Sequence, residues 1–235
     1  MPRCKVLVGA ALLGVVAMMP GTARAQQAVS FNLGYFAVRG AADRVDGDTL
    51  VANLAAPSPF ELSYNINDLN GTTVGGEWLF PIGTFLEGGV GISYYARTTP
   101  STYQELVNSD GSDITQNLRL RIVPITASVR LFPLGRRAPI QPYIGAGVGV
   151  FLWRYSETGE FVDAQQNVFT ATFAQSGTTV GPVILGGIRL PVARVAAFGA
   201  EMRYQKADAG LSSDFVGSRI DLGGITYQAT FVLRF

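Results

Sequence analysis

The 235 residues are 48% hydrophobic and 15% charged, enough apolar material for one continuous domain. Formal net charge is +1, and setting aside Arg3, Lys5 and Arg24 near the start leaves 15 basic residues against 17 acidic, a balance that excludes nucleic acid as a partner. Histidine is absent and the lone cysteine is Cys4, so residues 26–235 contain neither the usual general base nor a thiol; no disulfide, metal site or cofactor is expected there.

In chain order the first element is a secretory leader over residues 1–25. A basic start, Met1 to Lys5, precedes an apolar run from Val6 to Met19, which Pro20 and Gly21 break ahead of Ala23-Arg24-Ala25. That small-x-small sequence predicts cleavage before Gln26 and removal of Cys4. The run is too short for a spanning helix.

Residues 26–235 have no apolar stretch of helix-spanning length. Apolar residues alternate with small or polar ones instead, the period of strands with two unlike faces. Eight such segments follow: Val29–Arg39, Thr72–Pro81, Thr84–Arg97, Thr115–Phe132, Ile140–Tyr155, Thr178–Leu190, Val195–Gln205 and Ile220–Phe235. Short links at 81–84, 133–139 and 191–194 alternate with long polar ones at 40–71, 98–114, 156–177 and 206–219. Short turns at one end and long loops at the other predict an all-β fold, an eight-stranded antiparallel up-and-down transmembrane β-barrel over 26–235.

Three segments disturb this pattern. Phe60, Leu62, Tyr64 and Ile66 alternate within the first loop and are read as a strand extension outside the membrane. Pro124 and Pro182 fall inside strands, where each removes a ladder donor. The apolar phase also shifts between Leu118-Leu120-Ile122 and Val123-Ile125-Ala127-Val129, which predicts a bulge near Pro124.

Period alone does not separate a membrane barrel from a soluble lipocalin-like binder, since they differ in which face is apolar. Glu77, Glu87, Glu201, Arg203 and Gln228, with Arg189 a further candidate, fall on the polar faces and are expected to form an interior network. Tyr95 is expected inside as well. Trp78, Phe80, Phe132 and Phe235 at the short-turn side, with Tyr94, Trp153, Tyr155, Tyr204 and Tyr227 toward the loops, are expected to form interface girdles. A closed sheet requires the last strand to pair with the first.

With these features the chain resembles the small eight-stranded outer-membrane barrels, the OmpA-, OmpX- and OmpW-like proteins. The resemblance lies in the leader, the glycine-rich strand from Pro142 to Val150 and the ending from Tyr227 to Phe235. It implies placement in the outer membrane of a Gram-negative-type bacterium among phospholipid and lipopolysaccharide. It also implies that Tyr227, Phe231, Leu233 and Phe235 are read by the outer-membrane insertion machinery. No additional peptidoglycan-binding domain is recognised. Gly145, Gly147 and Gly149 alternate within a strand, so they thin a wall and do not form a phosphate loop.

Catalysis is not expected: without His or Cys, a serine nucleophile would need Lys206 or a carboxylate as base. Asp43, Asp46 and Asp48 lack calcium-loop spacing and are read as a solvated loop. Arg39, Arg97, Arg154 and Arg219, near the outer strand ends, are candidates to meet lipid phosphates. The function expected is structural or surface interaction, with the interior plugged by side chains. The alternative is an OmpW-like conduit or binding site for a small apolar solute, lined by Phe85, Phe151 and Trp153.

Overall fold

The computed structural model describes residues 27–235; the expected leader, Cys4 and the expected cleavage point before Gln26 lie outside the described residues. The strands are β1 (Ala28–Val38), β2 (Leu62–Ser63), β3 (Gly71–Ile82), β4 (Leu86–Val107), β5 (Asp113–Leu131), β6 (Gln141–Val162), β7 (Val168–Pro191), β8 (Ala196–Gln205), β9 (Asp208–Gly210), β10 (Arg219–Asp221) and β11 (Gly224–Arg234). The helix α1 (Thr49–Leu54) and short 3₁₀ turns at Ala41–Asp43 and Ile66–Leu69 lie between β1 and β3. Strands β1, β3, β4, β5, β6, β7, β8 and β11 form one antiparallel ring of 8, closed where β1 pairs with β11.

The register fixes the shape of the ring. Stepping between cross-strand partners from Ala28 leads through Leu79, Gly89, Ser128, Gly147, Val183, Gln205 and Gly224 to Val38. One circuit thus returns to β1 ten residues further along. With eight strands about 4.8 Å apart and about 3.3 Å per residue, that stagger tilts the strands by roughly 40° and gives a radius of roughly 8 Å. Such a cylinder is just wide enough to be filled by its own side chains.

All eight sequence segments correspond to ring strands, but two of the expected loops are mainly strand. Residues 98–107 continue β4 and 113–114 begin β5, while 156–162 continue β6 and 168–177 begin β7. Their polar, Thr-rich sequence hides them from an apolar-period search, because the outward face has left the hydrocarbon there. Four strands therefore stand above the ring on one side, joined at the tips by residues 108–112 and 163–167. In the first loop, only Leu62 and Ser63 form the expected strand extension, pairing with Tyr103 and Thr102 of β4. Ile66 enters a 3₁₀ turn instead. The last expected strand divides into β10 and β11.

No bulge occurs at Pro124, because β5 keeps one register with β6 from Gln116 to Leu131. The apolar phase shifts because the surroundings change. Leu118, Leu120 and Ile122 are buried inside the outer half, whereas Ile125 and Val129 face outward. Both prolines sit where pairing on one side is interrupted: Val123 and Pro124 have no partners on β4, and β7 pairs with β8 only from Val183 onward. The missing donor therefore disrupts little.

The glycine-rich part of β6 turns its glycines inward. A Cβ on Gly147 would overlap the Ala127 carbonyl oxygen, and one on Gly149 would overlap the Phe151 ring. These glycines permit close approach to β5 and space for the aromatic above.

Candidate functional site

The interior is built in layers from the short-turn end toward the long-loop end. Lowest lies Glu87 on β4, which accepts two hydrogen bonds from Arg189 on β7 at 2.9 and 3.0 Å. Arg136 stands 3.5 Å from the same carboxylate. The Arg189 guanidinium lies over the rings of Phe132 and Tyr143.

Above it Arg130 of β5 joins Glu77 of β3 at 2.6 Å and Glu201 of β8 at 3.0 Å. Arg203 adds contacts to Glu201 at 2.8 Å and Glu77 at 3.3 Å. The Gln228 amide and the Tyr143 hydroxyl donate to Glu201, and the Ser128 hydroxyl donates to Glu77. Two carboxylates face two guanidiniums, so the layer is charge-balanced and its ions are paired, as burial requires.

Glu77, Glu87, Glu201, Arg203 and Gln228 are thus all inside, joined in two groups. Sequence reasoning missed the hub, Arg130. Its signal was present, since Thr126, Ser128 and Arg130 alternate opposite Ile125, Ala127 and Val129, but the supposed bulge hid it.

A cavity of about 20 Å³ separates this network from the next layer; Tyr95, Ile122, Arg203, Gln205 and Gln228 are among its walls. That is space for about one water. The layer above is apolar: Phe36, Val38, Tyr95, Leu118, Leu120, Ile122, Phe151, Trp153 and Tyr155 from the wall pack against Leu50, Ile66, Leu69, Phe215, Ile220 and Leu222 from the loops. Trp153 and Tyr155 are therefore interior residues and not part of an interface girdle, and Phe132 is likewise fully buried. Phe85 lies in the short turn before β4 and is 52% exposed, so it lines no interior pocket.

Helix α1 closes the outer mouth. Asp48 caps it, accepting from the Leu50 and Val51 amides, while pairing with Arg44 at 2.6 Å and accepting from the Asp221 amide at 2.6 Å. Asp48 is consequently buried, in contrast to the solvated loop expected for it, whereas Asp43 and Asp46 are exposed. Arg39 pairs with Asp221 at 3.2 Å, Arg219 pairs with Asp208, and Arg97 donates to the Asp68 carbonyl. Asn53 of α1 donates to Glu157 at 2.8 Å, as does the Tyr155 hydroxyl at 2.7 Å. Burial holds the Glu157 carboxyl above the usual carboxylate range, and these two hydrogen bonds only partly oppose that rise.

Outside, the polarity is reversed. Phe31, Leu33, Tyr35, Val74, Val90, Ile92, Ile144, Val148, Val180, Ile184, Phe198, Met202 and Tyr227 are exposed, forming a belt around the whole ring. Trp78, Tyr94, Tyr204 and Phe235 are also exposed. The terminal residues Tyr227, Phe231, Leu233 and Phe235 share this outward face with Ile225 and Ala229. In water so large an apolar surface would drive association; in lipid it is the surface required. A closed eight-stranded ring with ions inside and an apolar belt outside is a transmembrane β-barrel of the small outer-membrane class.

No protein-family model matches the chain, and no curated protein does. Among solved structures it is similar to Neisserial surface protein A, with 14% identity over 89% of this chain and 97% of that one and a TM-score of 0.46. It is also similar to Ail, the attachment invasion locus protein of Yersinia pestis, with 11% identity, 91% and 100% coverage and a TM-score of 0.44. The outer membrane protein AlkL gives 16%, 93%, 94% and 0.41. The class assignment rests on the ring of strands and its two faces.

Proposed function

We propose that the protein is a closed outer-membrane barrel that acts through its outer surface, as a structural element of the envelope and a platform for surface interaction. The observation that carries this reading is the filled axis. An ion network occupies the short-turn half, an apolar plug occupies the outer half, and α1 covers the mouth. A hydrated ion has no continuous aqueous path, and an apolar solute meets paired charges halfway. The reading assigns no catalysis. Its partners are outer-membrane lipids and lipopolysaccharide, with the insertion machinery acting on the outward face of β11 during assembly.

Planar-bilayer recording tests it directly. Purified protein inserted at neutral pH is expected to give no reproducible single-channel current, and steady conductance would overturn the closed reading. The apolar outer chamber favours one alternative, an OmpW-like binding site or conduit for a small apolar solute. Such a solute would have to displace Leu50 and Leu69, so saturable uptake of a fluorescent alkyl probe, competed by an alkane, would favour that alternative.

A further inference from the structure

We propose that Arg119, Arg121 and Arg154 form a site for the phosphoryl groups of outer-leaflet lipids, immediately above the apolar belt. This inference rests on the membrane reading above. Along β5 the outward series runs Val129, Ala127, Ile125, Val123 and then Arg121 and Arg119; along β6 it runs Val148, Val150, Leu152 and then Arg154 and Ser156. Val123 lies opposite Leu152, Arg121 opposite Arg154, and Arg119 opposite Ser156. One outward step is two residues, about 7 Å along the strand. The change from hydrocarbon-facing to cationic side chains therefore occurs on both strands at the same step, where lipid phosphates succeed acyl chains.

The electrostatics point the same way. Like charges directly opposite in a ladder repel, yet Arg121 and Arg154 occupy such a pair. Their flanking partners are Ala96 on β4 and Ser176 on β7, and those of Arg119 are Thr98 and Ser156, none of them acidic. Among the described residues none of these three guanidiniums is in an ion pair, unlike Arg39 and Arg219 elsewhere at the rim. Between them runs a cleft of about 280 Å³ whose other walls are Ser156, Thr158 and Thr172. Three cations and three hydroxyls supply the donors that phosphate oxygens take. The cleft lies on the lateral wall of the barrel, away from the strand tips, so its occupant comes from the membrane plane.

The test places the refolded full barrel in phosphatidylcholine nanodiscs and titrates fluorescent lipid A, either bisphosphorylated or dephosphorylated. Bisphosphorylated lipid A is expected to bind at least about tenfold more tightly, and the triple variant R119Q/R121Q/R154Q to lose that preference. Equal binding of the two lipids, or an unchanged preference in the triple variant, would overturn the proposal. Tighter binding of soluble sucrose octasulfate than of lipid A, abolished by the same variant, would also overturn it in favour of a sulfated glycan. Heat-modifiable gel mobility is followed in parallel: a shift retained in the parent chain alongside equal binding of the two lipids defeats this site alone, whereas no shift in the parent chain defeats the membrane reading with it.

Discussion

Arg130 bridges two buried carboxylates whose one other cationic partner among the described residues is Arg203. Replacing it with Met removes the contacts to Glu77 and Glu201 and leaves Arg203 alone to balance two charges. Breaking a buried ion pair in this way costs about 3–5 kcal/mol. We expect R130M to lower stability by that order in urea titrations followed by heat-modifiable mobility, and expect R130M combined with E77Q to recover part of the loss. Glu157 is the converse case, a buried carboxylate whose described hydrogen bonds come from neutral donors. Because burial raises its affinity for a proton when α1 is docked, docking is strongest at acidic pH, below the titration of the undocked carboxyl. It weakens as pH rises through the raised value. In a W78F background, emission of the buried Trp153 should report a pH-dependent loosening of the cap that E157Q abolishes.

At the scale of elements, the strands carry their environment in their periodicity, and they do so twice. Within the bilayer, β5 shows Val123, Ile125, Ala127 and Val129 to lipid; above it, Leu118, Leu120 and Ile122 turn to the plug. The wall does not shift; the solvent on each side of it does. This explains why the ring was legible in the sequence whereas the tall hairpins, the cap and the Arg130 hub were not. Alternation reveals a strand only while one face is apolar, and the docking of α1 depends on residues as distant as Asp48 and Asp221. Outward positions should tolerate charge according to height. V148R, within the belt, is expected to cost about 2–4 kcal/mol, whereas T170R, beyond it and opposite Glu160, should leave unfolding unchanged. The inward wall has its own limit: G147V is expected to prevent close pairing of β5 with β6 and to abolish the heat-modifiable shift.

For the whole molecule, the ring closes below the level at which β4, β5, β6 and β7 extend outward, so membrane stability and exterior height are separable. Replacing residues 160–170 with an Asn-Gly turn retains the paired Gly159 and Ala171 and every strand contact within the belt. Such a chain should insert and migrate as the parent does. Failure to close would show that the upper hairpin is needed to assemble the ring. The extension also gives the exposed end unequal sides. Along β4 to β7 a screen of paired backbone rises well clear of the headgroups, while around β1, β3, β8 and β11 the sill is low. An antibody or a bulky polysaccharide descending from above meets the screen first, and only something small or approaching along the sill reaches the lid formed by α1.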